Sequence, residues 1–183
     1  MLKLDYTGTE LISLAEAKKY LRVDYATDDT YITELIKIAR VQVLKDTNQV
    51  VVSQAITEYF SAFSKVLDLQ FPGVITAYNL SYFNSNNIAT ALTEGTDYRI
   101  IQYLGLTKLE MINTPSTYDR LEAVSFTYIV TPQNDDYIRP LKIAMYMLIQ
   151  HYYDNRSAVS FLKAEEMPLG YKSIVSNYKN YIL

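Results

Sequence analysis

The sequence is most constrained by one apolar stretch, which spans residues 135–156. Its apolar side chains recur with the spacing of a helix face, at Leu141, Ala144, Met145, Leu148, Ile149 and Tyr152. Ile143 and Met147 widen that face. The polar stripe that remains comprises Lys142, Tyr146, Gln150 and Tyr153. A helix that is apolar around most of its circumference must be covered on several sides, by its own chain or by neighbouring subunits. We therefore predict a long, mostly buried central helix with Pro140 in its first turn.

Other helical patterns lie on both sides of this stretch. Ser13 and Glu16 have the spacing of a capping box and predict a short first helix. Thr27 or Asp28 can cap a second, longer helix. A last amphipathic helix is predicted after Pro168, and its apolar positions are Tyr171, Ile174, Val175, Tyr178, Tyr181 and Ile182.

Between these helical ends the chain is rich in β-branched and aromatic residues, which favour strands. The strand candidates are residues 50–52, 56–63, 80–83, 98–101, 108–112 and 122–130. We predict an α+β fold, in which a helical bundle carries an inserted antiparallel β unit. The predicted divisions are the N-terminal helices (1–49), the inserted β unit (50–132), and the central and C-terminal helices that complete the bundle (133–183).

Composition argues against several classes of protein. There is no cysteine, so disulfides and thiolate metal sites are excluded. The N-terminus lacks the apolar region of a secretion signal, and no apolar run approaches the roughly 18 residues of a membrane span. We expect a soluble protein, made in the cytosol and without membrane contact. The 18 tyrosines are typical of protein interfaces, although an AT-rich genome would also enrich tyrosine.

No constellation of residues predicts catalysis. The single histidine, His151, lies among aromatic residues of the central helix and is interpreted as a packing residue. The five glycines are isolated, so no phosphate-binding loop is present. Adjacent acids such as Asp28 and Asp29 are explained by helix starts. We predict that the protein is not an enzyme and uses no metal or cofactor.

Basic residues on the first two helices offer an alternative function. The set comprises Lys18, Lys19, Arg22, Lys37 and Arg40. These residues either lie on solvated helix faces or form the phosphate-contacting surface of a non-specific nucleic-acid binding module. The net charge of −3, without a dense basic cluster, permits only weak contact with DNA.

Four stretches, in this order, resemble the head-tail connector (adaptor) proteins of tailed bacteriophages. The most specific is the opening Leu-x-x-Ala-Lys-x-x-Leu-Arg-Val-Asp pattern, which ends at Asp24. Residues 67–74 resemble the family's entry to its β unit, and residues 138–156 resemble its central helix with a closing arginine. Residues 167–179 resemble its C-terminal proline-glycine segment. Together these stretches extend over nearly the whole chain.

The resemblance implies a structural virion protein in the neck, between the portal and the tail. Copies of such a protein form a ring, usually of twelve, through which DNA passes during packaging and ejection. Implied partners are the portal protein, tail or tail-completion proteins and, transiently and without specificity, genomic DNA. The implied location is the virion neck, with host cytoplasm during assembly.

Two sets of residues are candidate interaction sites under this interpretation. On the central helix, the candidate subunit contacts are Tyr146, Gln150 and Tyr153. On the C-terminal helix, the candidate portal- or tail-docking residues are Tyr171, Ile174, Tyr178 and Tyr181. Ordinary core packing is the alternative explanation for both sets.

Overall fold

The computed structural model describes residues 2–6, 8–71, 73–103, 106–132, 134–156 and 167–179. Within these residues the chain forms eight strands and four helices. In chain order they are β1 (Leu2–Tyr6), α1 (Leu14–Leu21), α2 (Asp29–Thr47), β2 (Gln54–Phe60), β3 (Val66–Asp68), β4 (Val74–Phe83), β5 (Ala89–Leu92), β6 (Tyr98–Tyr103), β7 (Leu106–Met111), β8 (Val124–Thr131), α3 (Asp135–Asp154) and α4 (Leu169–Tyr178). Contacts divide them into a sheet unit, within residues 2–8 and 53–132, and a helix unit, within residues 9–52 and 134–179.

The sheet unit contains two antiparallel sheets. The larger has the strand order β1-β2-β8-β4-β5, and the smaller has the order β3-β7-β6. The middle strand of the larger sheet is β8, which places Phe126 opposite Glu58 of β2 and Leu80 of β4. Alternate residues of β8 are buried, as expected for a strand with one face on a core. The core of the sheet unit therefore lies on this face of β8.

The predicted fold class is wrong in its architecture. The chain is α+β, but it is not a helical bundle with a small inserted β unit, because the strands form sheets of five and three strands. One cause of the error is β1, which pairs with β2 along its whole length. The strand candidates in the sequence begin at residue 50, so this strand was not predicted. The alternation of apolar and polar side chains in residues 2–6 is the signal that could have identified the strand.

Capping residues fix the ends of the first helices. The Glu16 N–H donates to Ser13 Oγ at 3.2 Å, and the Ser13 N–H donates to Glu16 Oε2 at 2.9 Å. The predicted capping box is therefore present. Arg22 and Asn48 follow α1 and α2 with φ angles of 58° and 54°, a left-handed conformation that ends helices.

The start of α3 differs from the prediction. The Asn134 side chain accepts a hydrogen bond of 2.7 Å from the Tyr137 N–H, and the helix begins at Asp135. Pro140 consequently lies in the second turn rather than the first. Because asparagine is a strong N-cap, its signal outweighs the preference of proline for the first helical position.

The core of the helix unit is mainly aliphatic. Its centre is α3, whose fully buried residues are Leu141, Ala144, Met145, Leu148 and Ile149. They pack with buried residues of α1, α2 and α4. Val51 and Val52, predicted to lie in a strand, belong to this helical core and make no strand pairing. Burial alone therefore explains the apolar run in which they lie.

Candidate interaction surfaces

The polar stripe of α3 lies against α1 of the same chain. Lys142 Nζ donates to Glu16 Oε1 at 2.7 Å, which makes an ion pair at the first turn of α1. One turn further along α3, the ring of Tyr146 stacks on Tyr20 with centroids 4.8 Å apart and an interplanar angle of 20°. Gln150 is exposed. The stripe is therefore partly covered within its own chain.

A second group, the Asp28 cluster, joins the C-terminal end of α3 to the start of α2. It comprises Asp28, Tyr25, Tyr31, Tyr153 and Arg156. Asp28 Oδ2 accepts hydrogen bonds from the hydroxyls of Tyr153 at 2.6 Å and Tyr25 at 3.3 Å, and Arg156 donates to both carboxylate oxygens. The Arg156 guanidinium also lies 4.7 Å from the ring centroid of Tyr31 and 4.2 Å from that of Tyr153. Hydrogen bonds and cation–π contacts thus hold one arginine in place.

The contacts of the cluster determine the charge of Asp28. The hydrogen bond from Arg156, followed by that from Tyr153, lowers the pKa of Asp28 to about 2. The hydrogen bond to Asp28 raises the pKa of Tyr153. At neutral pH the cluster therefore contains the carboxylate of Asp28, the guanidinium of Arg156 and the neutral phenol of Tyr153. Asp28 precedes α2 but makes no capping hydrogen bond with its side chain, in contrast to the sequence interpretation.

The predicted subunit contacts differ in how freely they could meet another copy. Tyr146 and Tyr153 are half-buried and use much of their surface on Tyr20 and on the Asp28 cluster. Gln150 exposes its side chain. Their role between subunits stays a prediction, and Gln150 is the member that can be changed with the least effect on the fold.

The predicted docking residues of α4 pack into the helix unit. Tyr171 is buried, and its hydroxyl donates to Asp46 of α2. Burial, and then this hydrogen bond, raise the pKa of Tyr171. Tyr178 contacts the ring of Tyr137 edge-on, with centroids 5.2 Å apart, and Ile174 is half-buried. Tyr181, the fourth predicted residue, lies outside the described residues.

A surface that the sequence interpretation missed lies between α2 and α4. It is an open groove of about 520 Å³, and the described residues that line it are Gln42, Lys45, Asp46, Met167, Tyr171, Lys172, Val175, Ser176 and Lys179. Lys172, Val175 and Ser176 share one face of α4 because three- and four-residue spacings bring side chains together, and Lys179 follows directly after the helix. Lys45 and Lys172 are far apart in sequence, so the apolar pattern of α4 does not indicate that they line one groove.

The alternative nucleic-acid surface is largely paired with carboxylates. Lys18 Nζ lies 2.6 Å from Asp29 Oδ1, and Lys37 and Arg40 pair with Glu34 at 2.8 Å and Glu10 at 3.1 Å. Lys19 and Arg22 are exposed. Because three of the five cations already have an anionic partner in the chain, the set is poorly suited to phosphate binding.

His151 lies on α3, where its ring is 5.7 Å from that of Tyr152. Its Nδ1 is 3.4 Å from the side-chain amide of Asn155, one turn further along the helix. Among the described residues, no group of three or more His, Asp or Glu side chains could hold a metal ion. In the same residues, no helix has both the length and the apolar character that a membrane crossing requires.

The sheet unit has a buried polar pair that the sequence interpretation did not identify. The Tyr128 hydroxyl donates to Glu58 Oε1 at 2.5 Å, and the Gln70 N–H donates to the same oxygen at 2.9 Å. Burial raises the pKa of Glu58, although both hydrogen bonds oppose the shift. Burial also raises the pKa of Tyr128. The register of β2 and β8, which sequence alone does not give, brings the two side chains together.

Comparison with known proteins places the fold. No model of a known protein family matches the sequence, and no curated protein matches it either. Three solved structures, of gene transfer agent (GTA) particles, share the fold. A chain in the "Virion of native gene transfer agent (GTA) particle" matches with a TM-score of 0.77 and 15% identity, over 100% of this chain and 97% of that one.

The two other structures are of particle necks. A chain in the "Neck of empty GTA particle computed with C6 symmetry" matches with a TM-score of 0.74 and 15% identity, over 100% of this chain and 97% of the other. For the "Neck of native GTA particle computed with C12 symmetry" the TM-score is 0.67 at 14% identity, with 97% of both chains covered. The chain therefore has the fold of proteins in gene transfer agent necks and virions, which confirms the resemblance to head-tail connectors found in its sequence.

Proposed function

We propose that this chain is a structural protein of the neck of a phage-like particle, where it connects the portal to the tail. The observation that carries the proposal is the match of nearly the whole chain, in one fold, to chains of GTA necks and a GTA virion. Four connector-like stretches in the expected order support it independently. The role involves assembly and sealing and requires no catalysis or cofactor.

The proposed assembly is a homo-oligomeric ring of twelve copies. The two neck structures were computed with C6 and C12 symmetry, which supports a ring. A heterologous contact closes into a ring when its rotation divides the circle, so two different surfaces of each subunit must meet. Tyr146, Gln150 and Tyr153 are proposed to lie on one of them.

The ring is proposed to form part of the conduit through which DNA is packaged and ejected. The net charge of −3 supports this, because a strongly basic lining would hold the phosphates of passing DNA. The C-terminal residues Tyr171, Ile174, Tyr178 and Tyr181 are proposed to position the element that docks on the portal or the tail. Assembly would take place in the host cytoplasm and end in the virion neck.

The first test is the mass of the purified protein over a wide range of concentration, by light scattering after size exclusion. We expect a closed ring of about a dozen copies, alone or after addition of the portal protein, with the ring visible in negative-stain images. A protein that stays monomeric and does not bind the portal would contradict the proposal.

The contribution of Gln150 can be tested in the same assay. A Gln150→Arg variant should weaken ring closure, because the exposed side chain would bring an unpaired charge into a subunit contact. Asn86→Arg, an equal charge change at an exposed turn of the sheet unit, is the matched control. Equal ring yields for both variants would remove Gln150 from the interface.

A further inference from the structure

Two helices of the helix unit expose apolar side chains on the faces that point away from its core. On α2 the exposed residues of one face, which we call the outer α2 face, are Glu34, Lys37, Ile38, Val41 and Lys45. On α3 the corresponding set, the outer α3 face, is Asp136, Arg139, Ile143, Gln150 and Asp154. Ile38 is 49% exposed, Val41 44% and Ile143 47%. Single exposed apolar residues are ordinary, but an apolar centre within a charged and polar rim is typical of an interface.

The two outer faces lie on opposite sides of the helix unit. The buried residues of α2 and α3 belong to one core, in which the two helices pack against each other. On each helix the exposed residues lie about half a turn from the buried ones, so the outer faces point in opposite directions. The other two helices lie against the flanks of α3, where Tyr20 of α1 stacks on Tyr146 and Gly170 of α4 lies against Met147. One subunit therefore presents two different surfaces on opposite sides, as a heterologous ring contact requires.

The geometry of a ring determines the direction in which these faces would meet. The hydroxyl of Tyr153, at the end of α3, donates to Asp28 at the start of α2, so the two helices run in opposite directions. In the proposed ring of twelve, each copy is turned by about 30° relative to the next. The outer α2 face of one copy would therefore meet the outer α3 face of its neighbour with the helices roughly antiparallel.

The charges of the two faces are complementary in this orientation. Lys45 lies seven residues after Ile38, and Asp136 lies seven residues before Ile143. When the two isoleucines meet in an antiparallel contact, Lys45 consequently faces Asp136. The carboxylate of Asp136 pairs with Arg139 at 3.0 Å in its own chain, but the Asp136 side chain is 87% exposed and can accept from a second cation.

We propose that the outer α2 face of each copy binds the outer α3 face of the next copy in the ring. The inference rests on the proposed neck function and names the two surfaces through which copies meet. Ile38 and Val41 pack against Ile143 of the neighbouring copy, and Lys45 pairs with its Asp136. Every junction in the ring is then the same, and each outer face is covered.

The first test introduces a charge at the apolar centre of each face, in the full chain. The variants are Ile38→Arg and Ile143→Arg, and the control is Ile112→Arg, at an isoleucine of the sheet unit that is 52% exposed. We expect the ring yield of each face variant, measured by light scattering after size exclusion, to fall by about tenfold or more, because the contact would bury an unpaired charge. The control should assemble like the wild type, with the portal protein added if the wild type requires it. Circular dichroism checks that the variants fold, and glutamine replaces arginine in any that do not.

The second test exchanges charges to ask whether the two faces meet each other. Lys45→Glu and Asp136→Lys should each weaken assembly alone, because each places like charges opposite one another. An equal mixture of the two variants should recover rings in which the two kinds of copy alternate, since every junction then joins opposite charges. A role of these residues in folding alone would not give this recovery.

The outcomes separate this contact from the neck function. Equal ring yields for the face variants and the control would overturn the contact and leave the neck function in place. So would a mixture that stays unassembled, or face variants that form normal rings and lose only their binding to the portal or the tail-completion protein. If the wild-type chain neither forms a ring nor binds the portal, the proposed function itself fails, and the contact fails with it.

Discussion

The two units place a carboxylate against a tyrosine hydroxyl in opposite electrostatic settings. In the helix unit, Asp28 accepts from Tyr153 and also from the cationic Arg156, and its pKa falls to about 2. In the sheet unit, Glu58 accepts from Tyr128 and a backbone N–H, and its pKa is raised. The pKa of the carboxylate therefore shifts in opposite directions in the two units, although a tyrosine hydroxyl donates to it in both.

The difference lies in the burial of Glu58 and in the cation beside Asp28. A phenol and an amide hydrogen bond do not compensate for the loss of water around buried Glu58, whereas the guanidinium beside Asp28 does. The helix unit thus connects its elements with charges near the surface. The sheet unit connects β2 and β8 with a buried polar pair beside stacked aromatic rings.

The largest effect is expected from the aromatic core of the sheet unit. Phe126 is fully buried, stacks on Tyr128 at 5.2 Å between centroids and meets Tyr98 edge-on. Phe126→Ala should lower the free energy of unfolding by about 3–5 kcal/mol, because it leaves a cavity under the central strand. Chemical denaturation followed by circular dichroism measures this change.

The matched control is Phe83→Ala, which removes the same ring from a half-buried position on β4. Its main aromatic contact is the guanidinium of Arg120, 4.1 Å from the ring centroid. We expect a clearly smaller loss than for Phe126→Ala. Equal losses would show that the stack on β8 has no special role in the sheet unit.

The second-largest loss of stability is expected when the buried tyrosine–glutamate pair is broken, and an exposed tyrosine–glutamate pair is its control. Tyr128→Phe removes a donor to buried Glu58 and should lower the free energy of unfolding by about 1–3 kcal/mol. Tyr78→Phe removes the hydroxyl that donates to Glu94 at the surface and should change it little, since water replaces the lost bond. Denaturation at pH 7 compares the two. If the two variants lose equal stability, burial of the pair is not what makes it important.

Much of the secondary structure could be predicted because its signals are local. The capping box at Ser13 and the apolar spacing on α3 require only neighbouring residues. Residues 50–52 show the limit, because a short apolar run fits a strand and a buried loop equally well. The two sheets could not be derived, since strand order and register depend on contacts between distant residues.

The candidate sites were less predictable for the same physical reason. The sequence identified Tyr146 and Tyr153 as the polar side of α3 but could not show that Tyr20 and Asp28 of the same chain meet them. The partner of Glu58 follows from the register of β2 and β8. Lys45 and Lys172 are far apart in sequence, and only the packing of α4 beside α2 brings them to one groove.

A smaller effect is expected on the pH dependence of stability, to which the two carboxylates should contribute in opposite directions. The folded pKa of Asp28, about 2, lies below its ordinary value of 3.8, so its contribution to stability is present above pH 4 and lost towards pH 2. The pKa of Glu58 is raised above 4.5, so its contribution is present below that pH and lost as the pH rises through the folded pKa.

Thermal unfolding of the wild type, Asp28→Asn and Glu58→Gln across pH 2–8 measures these opposite trends. Asp28→Asn should reduce the loss of stability between pH 4 and pH 2. Glu58→Gln should remove a decline in thermal stability above pH 4.5 and leave the loss of stability between pH 4 and pH 2 unchanged. If Glu58→Gln instead reduces the loss between pH 4 and pH 2, the carboxylate is held in its charged form and the contrast between the two units is wrong.

The smallest effect is expected at the rim of the helix unit, where the charges are exposed. Lys142→Met removes the ion pair with Glu16 but keeps a long, unbranched aliphatic side chain. Because the pair is screened by water and salt, the free energy of unfolding should fall by about 0–1 kcal/mol, and the difference should shrink at high salt. Lys37→Met, which breaks the exposed pair with Glu34, is the control and should behave alike. A salt-independent loss of several kcal/mol at Lys142 alone would show that the contact between α1 and α3 depends on this charge, and that the helix unit, like the sheet unit, contains a polar pair that water does not screen.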